Sequence, residues 1–147
     1  MSERKSNYAE SLATMLGRRR QAAREPGKWH ERILEGLAFD AVENVKSRAS
    51  LNDAEIARLL GIGAATLRRA RASGGTLDAA TSDRLYRLSK VIAIAEEVLE
   101  GTDNAMSWLK RRQPGLAGQV PLELLVTQAG ADDVEALLRR IDYGVYT

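Results

Sequence analysis

The sequence contains no cysteine, a single histidine and no long apolar run. Its 147 residues, 44% hydrophobic and 5% aromatic, suit one compact domain or two very small ones. The absence of cysteine excludes a disulfide framework, a thiolate nucleophile and cysteine-bound zinc, and His30 alone cannot form a histidine-rich metal site. A membrane span needs roughly 18 apolar residues in a row, and the opening MSERKSNYAE lacks the apolar core of a signal peptide. We therefore expect no metal, no membrane contact and a reducing, cytoplasmic location.

The charged residues are distributed unevenly along the chain. Residues 1–90 carry 17 Lys and Arg against 11 Asp and Glu, a balance of +6, whereas residues 91–147 carry 5 against 9, a balance of −4. A basic part joined to an acidic one suggests two tasks, one of which faces an anionic polymer. The alternative is a solvated surface whose charge is merely uneven.

Glycine and proline interrupt a sequence that is otherwise rich in Ala, Leu, Arg and Glu, which are good helix formers. No segment alternates for long with the period of a strand, so we predict an all-α fold. The predicted helices cover residues 8–16, 28–35, 39–49, 53–60, 64–73, 81–99, 105–111, 122–127 and 132–142.

The longest predicted helix, residues 81–99, has apolar residues at steps of three and four and would form the spine of the fold. Thr81 or Ser82 can cap its start, and Gly101 is well placed to end it. Residues 92–98 are the candidate for a dimer contact, although an equally apolar surface could be buried within the chain itself.

Residues 1–27 are predicted to form a weakly ordered basic arm, because Tyr8, Leu12 and Leu16 offer only a narrow apolar stripe. The arm carries the basic residues Arg18, Arg19, Arg20 and Arg24. Such an arm could contact phosphates or could simply keep the terminus soluble.

Residues 53–71, DAEIARLLGIGAATLRRAR, have the pattern of a helix-turn-helix. Ile56, Ala57 and Leu60 would form the buried face of a first short helix, and Gly61 supplies a left-handed turn that only glycine adopts without steric cost. Leu67 would lie on the inward face of the second helix, the recognition helix. Residues 39–49 would provide the first helix of a trihelical unit.

The outward surface of the predicted recognition helix is basic. Small residues near its N-terminus leave room for base edges, and arginine can bind guanine bidentately or neutralise a phosphate. The predicted DNA-binding residues are Gly63, Ala64, Ala65, Thr66, Arg68, Arg69 and Arg71. The alternative is a helical hairpin with a solvated arginine face. Because one recognition motif reads DNA weakly as a monomer, we also expect a homodimer.

The C-terminal segment alternates short apolar helices with turn residues such as Pro114 and Gly130. Asp132 and Asp133 favour the start of the last helix. The chain then ends in Tyr143, Gly144, Val145, Tyr146 and Thr147. A tail with two tyrosines either binds a partner or folds back on its own core, and the residues alone favour neither.

Several separate motifs in this half resemble the Xre-type antitoxins, also called the MbcA/ParS group, which neutralise RES-domain toxins. The order and spacing of these motifs agree over about residues 39–147. The matching pieces are SDRLYRL at 82–88, Trp108 with Leu109, PGLAG at 114–118, PLELL at 121–125, Thr127, Gly130 and RIDYGVY at 140–146. Val126 and Gln128 depart from the residues that are common in the family.

The resemblance implies a helix-turn-helix module, residues 28–80, that binds operator DNA as a repressor of its own operon. It also implies a dimerisation and toxin-binding module, residues 81–147, that holds an NAD-consuming RES toxin. The toxin-binding residues would be Arg140, Tyr143, Gly144, Val145, Tyr146 and Thr147, near the toxin's active-site cleft. The antitoxin itself would have no catalytic residue and no cofactor.

Two rival functions remain at this point. A stand-alone dimeric repressor would use the C-terminal half only for dimerisation or for a small ligand. An enzyme is disfavoured because the sequence has one histidine, no cysteine and no clustered acid–base groups, and Asp132 and Asp133 lie where helix-capping carboxylates are expected.

Overall fold

A computed structural model describes residues 2–17 and 27–144, with side chains from residue 8 onward. Within these residues the chain is helical, and the predicted all-α fold is confirmed. None of the helices in the described part is long and apolar enough to cross a membrane. The helices are α1 Ser2–Leu16, α2 Lys28–Glu35, α3 Asp40–Arg48, α4 Asp53–Leu60, α5 Ala64–Ser73, α6 Ala79–Leu99, α7 Thr102–Leu109, α8 Pro121–Leu124 and α9 Gln128–Asp142, with a 3-10 turn at Pro114–Leu116.

Helix α6 is the centre of the fold, as its apolar periodicity predicts. It contacts α1, α2, α4, α7 and α9. Val91, Ile92, Ala93, Ile94 and Ala95 are at most 3% exposed. The candidate dimer contact at residues 92–98 is therefore largely buried within the chain, because the helix is surrounded by neighbours on every side of this stretch.

The start of α6 differs from the prediction. Its N-cap is Asp78, whose Oδ1 accepts the Thr81 N–H at 2.7 Å, so neither Thr81 nor Ser82 is the cap. This hydrogen bond lowers the pKa of the Asp78 carboxyl. Ser82 is instead buried, and its hydroxyl accepts the Leu37 N–H at 2.9 Å. Ser82 therefore connects α6 to the segment that precedes α3.

Helix α1 packs against the rest of the protein, chiefly on α6 and α3. Leu12, Ala13, Met15 and Leu16 on α1 are buried against the rest of the protein. Ala13 and Met15 widen the stripe that the sequence pattern had suggested, so the helix buries a full face. The predicted arm arginines, Arg18, Arg19, Arg20 and Arg24, lie outside the described residues.

Two polar side chains hold the C-terminal end of α1 in place. Asn44 Nδ2 donates to the Met15 carbonyl at 3.3 Å, and Arg32 Nη2 donates to the Leu16 carbonyl at 3.1 Å. These carbonyls belong to the last turn of α1, where no helical partner is available. Helices α2 and α3 thus fix the end of α1.

The last helix, α9, begins four residues earlier than predicted. Its N-cap is Thr127, whose hydroxyl accepts the Gly130 N–H at 2.9 Å, so Asp132 and Asp133 lie inside the helix. Gly130 is buried in the first turn, where a Cβ atom would overlap the Leu124 carbonyl oxygen. Glycine therefore allows α9 to approach α8 closely, rather than separating the two helices as a breaker.

Candidate functional site

Helices α3, α4 and α5 form the trihelical unit that the sequence predicts, with the predicted bounds of α4 and α5. Asn52 caps α4, and it forms a capping box with Glu55 through hydrogen bonds of 2.8 and 2.9 Å. Gly61 ends α4 with φ of 69°, the left-handed conformation predicted for this turn. The helix-turn-helix is confirmed at the level of backbone geometry.

Helix α5 presents an exposed, basic outer surface. Leu67 is 1% exposed and fixes the inward face, whereas Thr66, Arg68 and Arg69 are exposed. Arg69 Nη2 donates to Thr66 Oγ1 at 3.2 Å, across one helical turn. The residues at the start of the helix, Gly63, Ala64 and Ala65, are also exposed.

The N-terminus of α5 is open toward this surface. Gly63 is the N-cap, and it has no side chain that could accept the first backbone N–H groups. The N-terminal N–H groups of a helix carry a partial positive charge and bind phosphate readily. The start of α5 therefore adds to the attraction that Arg68 and Arg69 exert on an anion.

Arg71 lies on the inward side of α5, not on the outward surface where it was predicted. Its guanidinium donates two hydrogen bonds to Glu43 at 3.0 and 3.1 Å and two to Asp53 at 2.9 and 3.0 Å. It also lies 5.7 Å from the centre of the Phe39 ring. The sequence carries the signal for this placement, because Arg71 follows buried Leu67 by four residues and so shares its face.

Electrostatics strengthens this arrangement, which we call the Arg71 clamp and define as Arg71, Glu43 and Asp53. Hydrogen bonds from Arg71 and Lys46 hold the pKa of the Asp53 carboxyl well below its usual value. The two carboxylates raise the pKa of Arg71. Four of the five N–H donors of Arg71 are used within the trihelical unit, so the clamp fixes α5 relative to α3 and α4.

A short backbone pairing closes the unit at the end of α5. The Leu77 N–H donates to the Leu37 carbonyl at 2.8 Å, and the Phe39 N–H donates to the Gly75 carbonyl at 3.0 Å. The segment before α3 is thus paired with the segment after α5. Nothing in the sequence pattern predicts this contact, which joins residues far apart in the chain.

The C-terminal end of α9 projects from the molecule. Arg140 is exposed, and Tyr143 at the C-cap is 79% exposed. Gly144 is exposed as well, with φ of 76°. Val145, Tyr146 and Thr147 lie outside the described residues. Tyr143 and Gly144, the described part of the tail, are therefore turned toward solvent.

Two family models match successive regions of the chain. Residues 28–90 match a family model described as an antitoxin Xre-like helix-turn-helix domain. Residues 95–144 match a model described as the antitoxin Xre/MbcA/ParS C-terminal toxin-binding domain. Helix α1 precedes both matched regions.

Curated relatives carry the name Antitoxin Xre. One from Yersinia enterocolitica is 31% identical over 113 residues, which is 76% of this chain and 76% of the relative. One from Photorhabdus laumondii is 31% identical over 112 residues, with the same two shares. One from Pseudomonas putida is 30% identical over 115 residues, covering 78% of this chain and 71% of the relative.

Proposed function

The chain belongs to the Xre family of antitoxins, and from this premise we propose that it binds and blocks a cognate RES-domain toxin and represses its own operon. In this proposal residues 28–80 bind operator DNA and residues 81–147 dimerise and hold the toxin. The observation that carries the proposal is the exposure of Tyr143 at the end of the matched toxin-binding region. Both tasks are binding tasks that need no chemistry of the chain's own, and operator binding implies a cytoplasmic location.

The DNA end of the proposal rests on α5. Its exposed outer surface would enter the major groove, where Arg68 and Arg69 reach base edges or phosphates. The open N-terminus at Gly63 supports this contact. Arg71 is left out of the proposed interface, because its donors are already bound in the Arg71 clamp.

The toxin end of the proposal rests on the tail, residues 143–147, together with Arg140. An aromatic side chain that is exposed in the free protein makes few intramolecular contacts. When a partner covers it, few contacts are broken and a large area is buried. A tail inserted into the toxin's active-site cleft would exclude the substrate by occupancy.

Co-expression with the toxin of the neighbouring gene tests the toxin end. Deleting residues 143–147 should abolish protection, and Tyr143→Ala should weaken it, while both chains still bind operator DNA. Leu34→Ala is the matched control, because Leu34 is an apolar side chain that is 62% exposed on α2. If the deletion protects as well as the full chain, the blocking mechanism is refuted. If no toxin complex forms although the operator is bound, the stand-alone repressor becomes the better account.

Operator affinity tests the DNA end. Arg68→Ala and Arg69→Ala should each weaken operator binding while the unfolding midpoint stays unchanged, because both side chains are exposed. If the lost contact is to a phosphate, the salt dependence of binding also falls. Arg139→Ala, an exposed arginine on α9, serves as the control. Unaltered affinity and salt dependence for both α5 variants would show that α5 is not the recognition helix.

A further inference from the structure

A run of three basic residues lies where α7 ends, inside the acidic half of the chain. Lys110, Arg111 and Arg112 are all exposed, and they are three of the five basic residues in residues 91–147. We call this run the α7 basic patch. It belongs to the region matched as toxin-binding, and neither the proposed toxin contact nor the proposed recognition helix uses it.

The three side chains are held at the surface by backbone carbonyls. Lys110 Nζ donates to the Ser50 carbonyl at 3.2 Å. Arg111 Nε donates to the Ser107 carbonyl at 3.1 Å, and Arg112 Nη1 donates to the Gly118 carbonyl at 3.2 Å. Carbonyl partners leave a positive charge unneutralised, and none of the ion pairs between described residues includes these three cations.

The contact with Ser50 places Lys110, the first residue of the patch, beside the trihelical unit. Ser50 lies in the turn between α3 and α4, two residues before the Asn52 N-cap. In trihelical DNA-binding domains such as homeodomains, the turn between the first two helices and the C-terminal end of the recognition helix both contact the DNA backbone.

The end of α5 is connected to the residue that follows the α3–α4 turn. Arg71, in the last turn of α5, is bound to Asp53, the first residue of α4. Lys46 Nζ lies 2.7 Å from the same carboxylate. Lys110 therefore contacts the α3–α4 turn, and Arg71 connects the end of α5 to the first residue after that turn.

We propose that Lys110, Arg111 and Arg112 contact the phosphate backbone of duplex DNA beside the bases that α5 reads. The proposal rests on the proposed DNA-binding function. Duplex DNA carries one negative charge for about every 1.7 Å of its axis, so a run of cations that begins beside the trihelical unit gains affinity without reading sequence. The C-terminal module would then serve DNA binding as well as toxin binding.

The test is the salt dependence of DNA binding, measured by fluorescence anisotropy with operator duplex and with a scrambled duplex. The variant Lys110→Gln, Arg111→Gln, Arg112→Gln should lower the slope of log affinity against log salt by about 2 to 3, because each phosphate contact contributes about 0.9. Affinity for the two duplexes should fall by the same factor. The charge-matched control is Arg87→Gln, Lys90→Gln, Arg139→Gln, three basic residues outside the proposed operator-binding module, for which we expect the wild-type slope.

A second variant removes any dependence on the Lys110 contact with Ser50. Arg111→Gln, Arg112→Gln keeps that contact and should lower the slope by about 2. If either patch variant is folded and has the wild-type slope and affinity, the proposal is overturned. A loss of toxin capture with unchanged DNA binding would also overturn it, since the patch would then face an acidic protein surface.

Arg68→Ala separates this inference from the function on which it rests. If Arg68→Ala weakens operator binding while the patch variants behave like the control, the DNA-binding function stands and the patch proposal is refuted. If the wild-type chain binds neither duplex, both are refuted together.

Discussion

Arg48 and Glu96 form a two-point ion pair that joins the trihelical unit to the central helix. Arg48 Nε lies 2.7 Å from Glu96 Oε2, and Arg48 Nη2 lies 3.1 Å from Oε1. The Glu96 side chain is 6% exposed, and it also accepts the Thr102 hydroxyl at 2.8 Å. Arg48 Nη2 further donates to Ser11 Oγ on α1. The pair and its hydrogen bonds thus connect α1, α3, α6 and α7, and the pair itself joins the two regions that the family models match.

Removing one partner of this ion pair should destabilise the whole chain. Arg48→Ala would leave the Glu96 carboxylate buried without its counter-charge, and the expected loss is about 3 kcal/mol of unfolding free energy. Urea unfolding measures it. Arg87→Ala is the control, since the hydrogen bond from Arg87 to Gln128 is exposed, and it should change stability by less than about 0.5 kcal/mol. Equal small losses for both variants would contradict a supporting role for the pair.

Gly130 should not tolerate a larger residue. In Gly130→Ala the new methyl group would overlap the Leu124 carbonyl, so α8 and α9 must move apart at a cost of about 1–3 kcal/mol. The thermal unfolding midpoint should fall. Toxin capture should weaken as well, because the two helices belong to the matched toxin-binding region. Gly75→Ala is the control: its nearest neighbour, Ser73 Oγ, is 4.0 Å away, and we expect near wild-type values.

Substitutions of Arg71 and Arg68 should affect different properties, the stability of the fold for Arg71 and DNA binding for Arg68. Arg71→Ala breaks the Arg71 clamp, so we expect a fall in unfolding midpoint that is smaller than for Arg48→Ala, because the clamp is partly solvated. Arg68→Ala should leave the midpoint unchanged and weaken operator binding. Paired unfolding and DNA-binding measurements decide the point. If Arg71→Ala leaves the unfolding midpoint unchanged and lowers the salt dependence of DNA binding, Arg71 contacts DNA as the sequence predicted.

Alkaline pH should destabilise the contact between α1 and the rest of the protein. Burial, followed by the neighbouring Tyr86 and Glu135, raises the pKa of Tyr8 from 10.0 to about 12. The unfolded chain therefore loses this proton first, and the stability contributed by neutral Tyr8 is lost as pH rises from about 10 to about 12. Tyr8→Phe should flatten this part of the stability profile. Identical profiles for wild type and Tyr8→Phe would refute the assignment.

Local patterns in the sequence were sufficient for most helices and for the helix-turn-helix. Apolar spacing placed α4 and α5 correctly, and Gly61 marked the turn, because both signals act within one or two helical turns. Helix starts were less certain: Asp78 and Thr127 cap α6 and α9, where later residues had been predicted. Several polar residues near a helix start can serve as a cap, and packing selects among them.

Residue types alone determined that this chain is helical and that it contains a helix-turn-helix whose second helix is basic. Tertiary structure alone decided that α1 packs on α6, that Arg71 clamps the trihelical unit, and that Lys110 reaches Ser50. The physical reason is distance along the chain. Helix formation depends on neighbours within about four residues, whereas burial and charge pairing depend on side chains that only folding brings together.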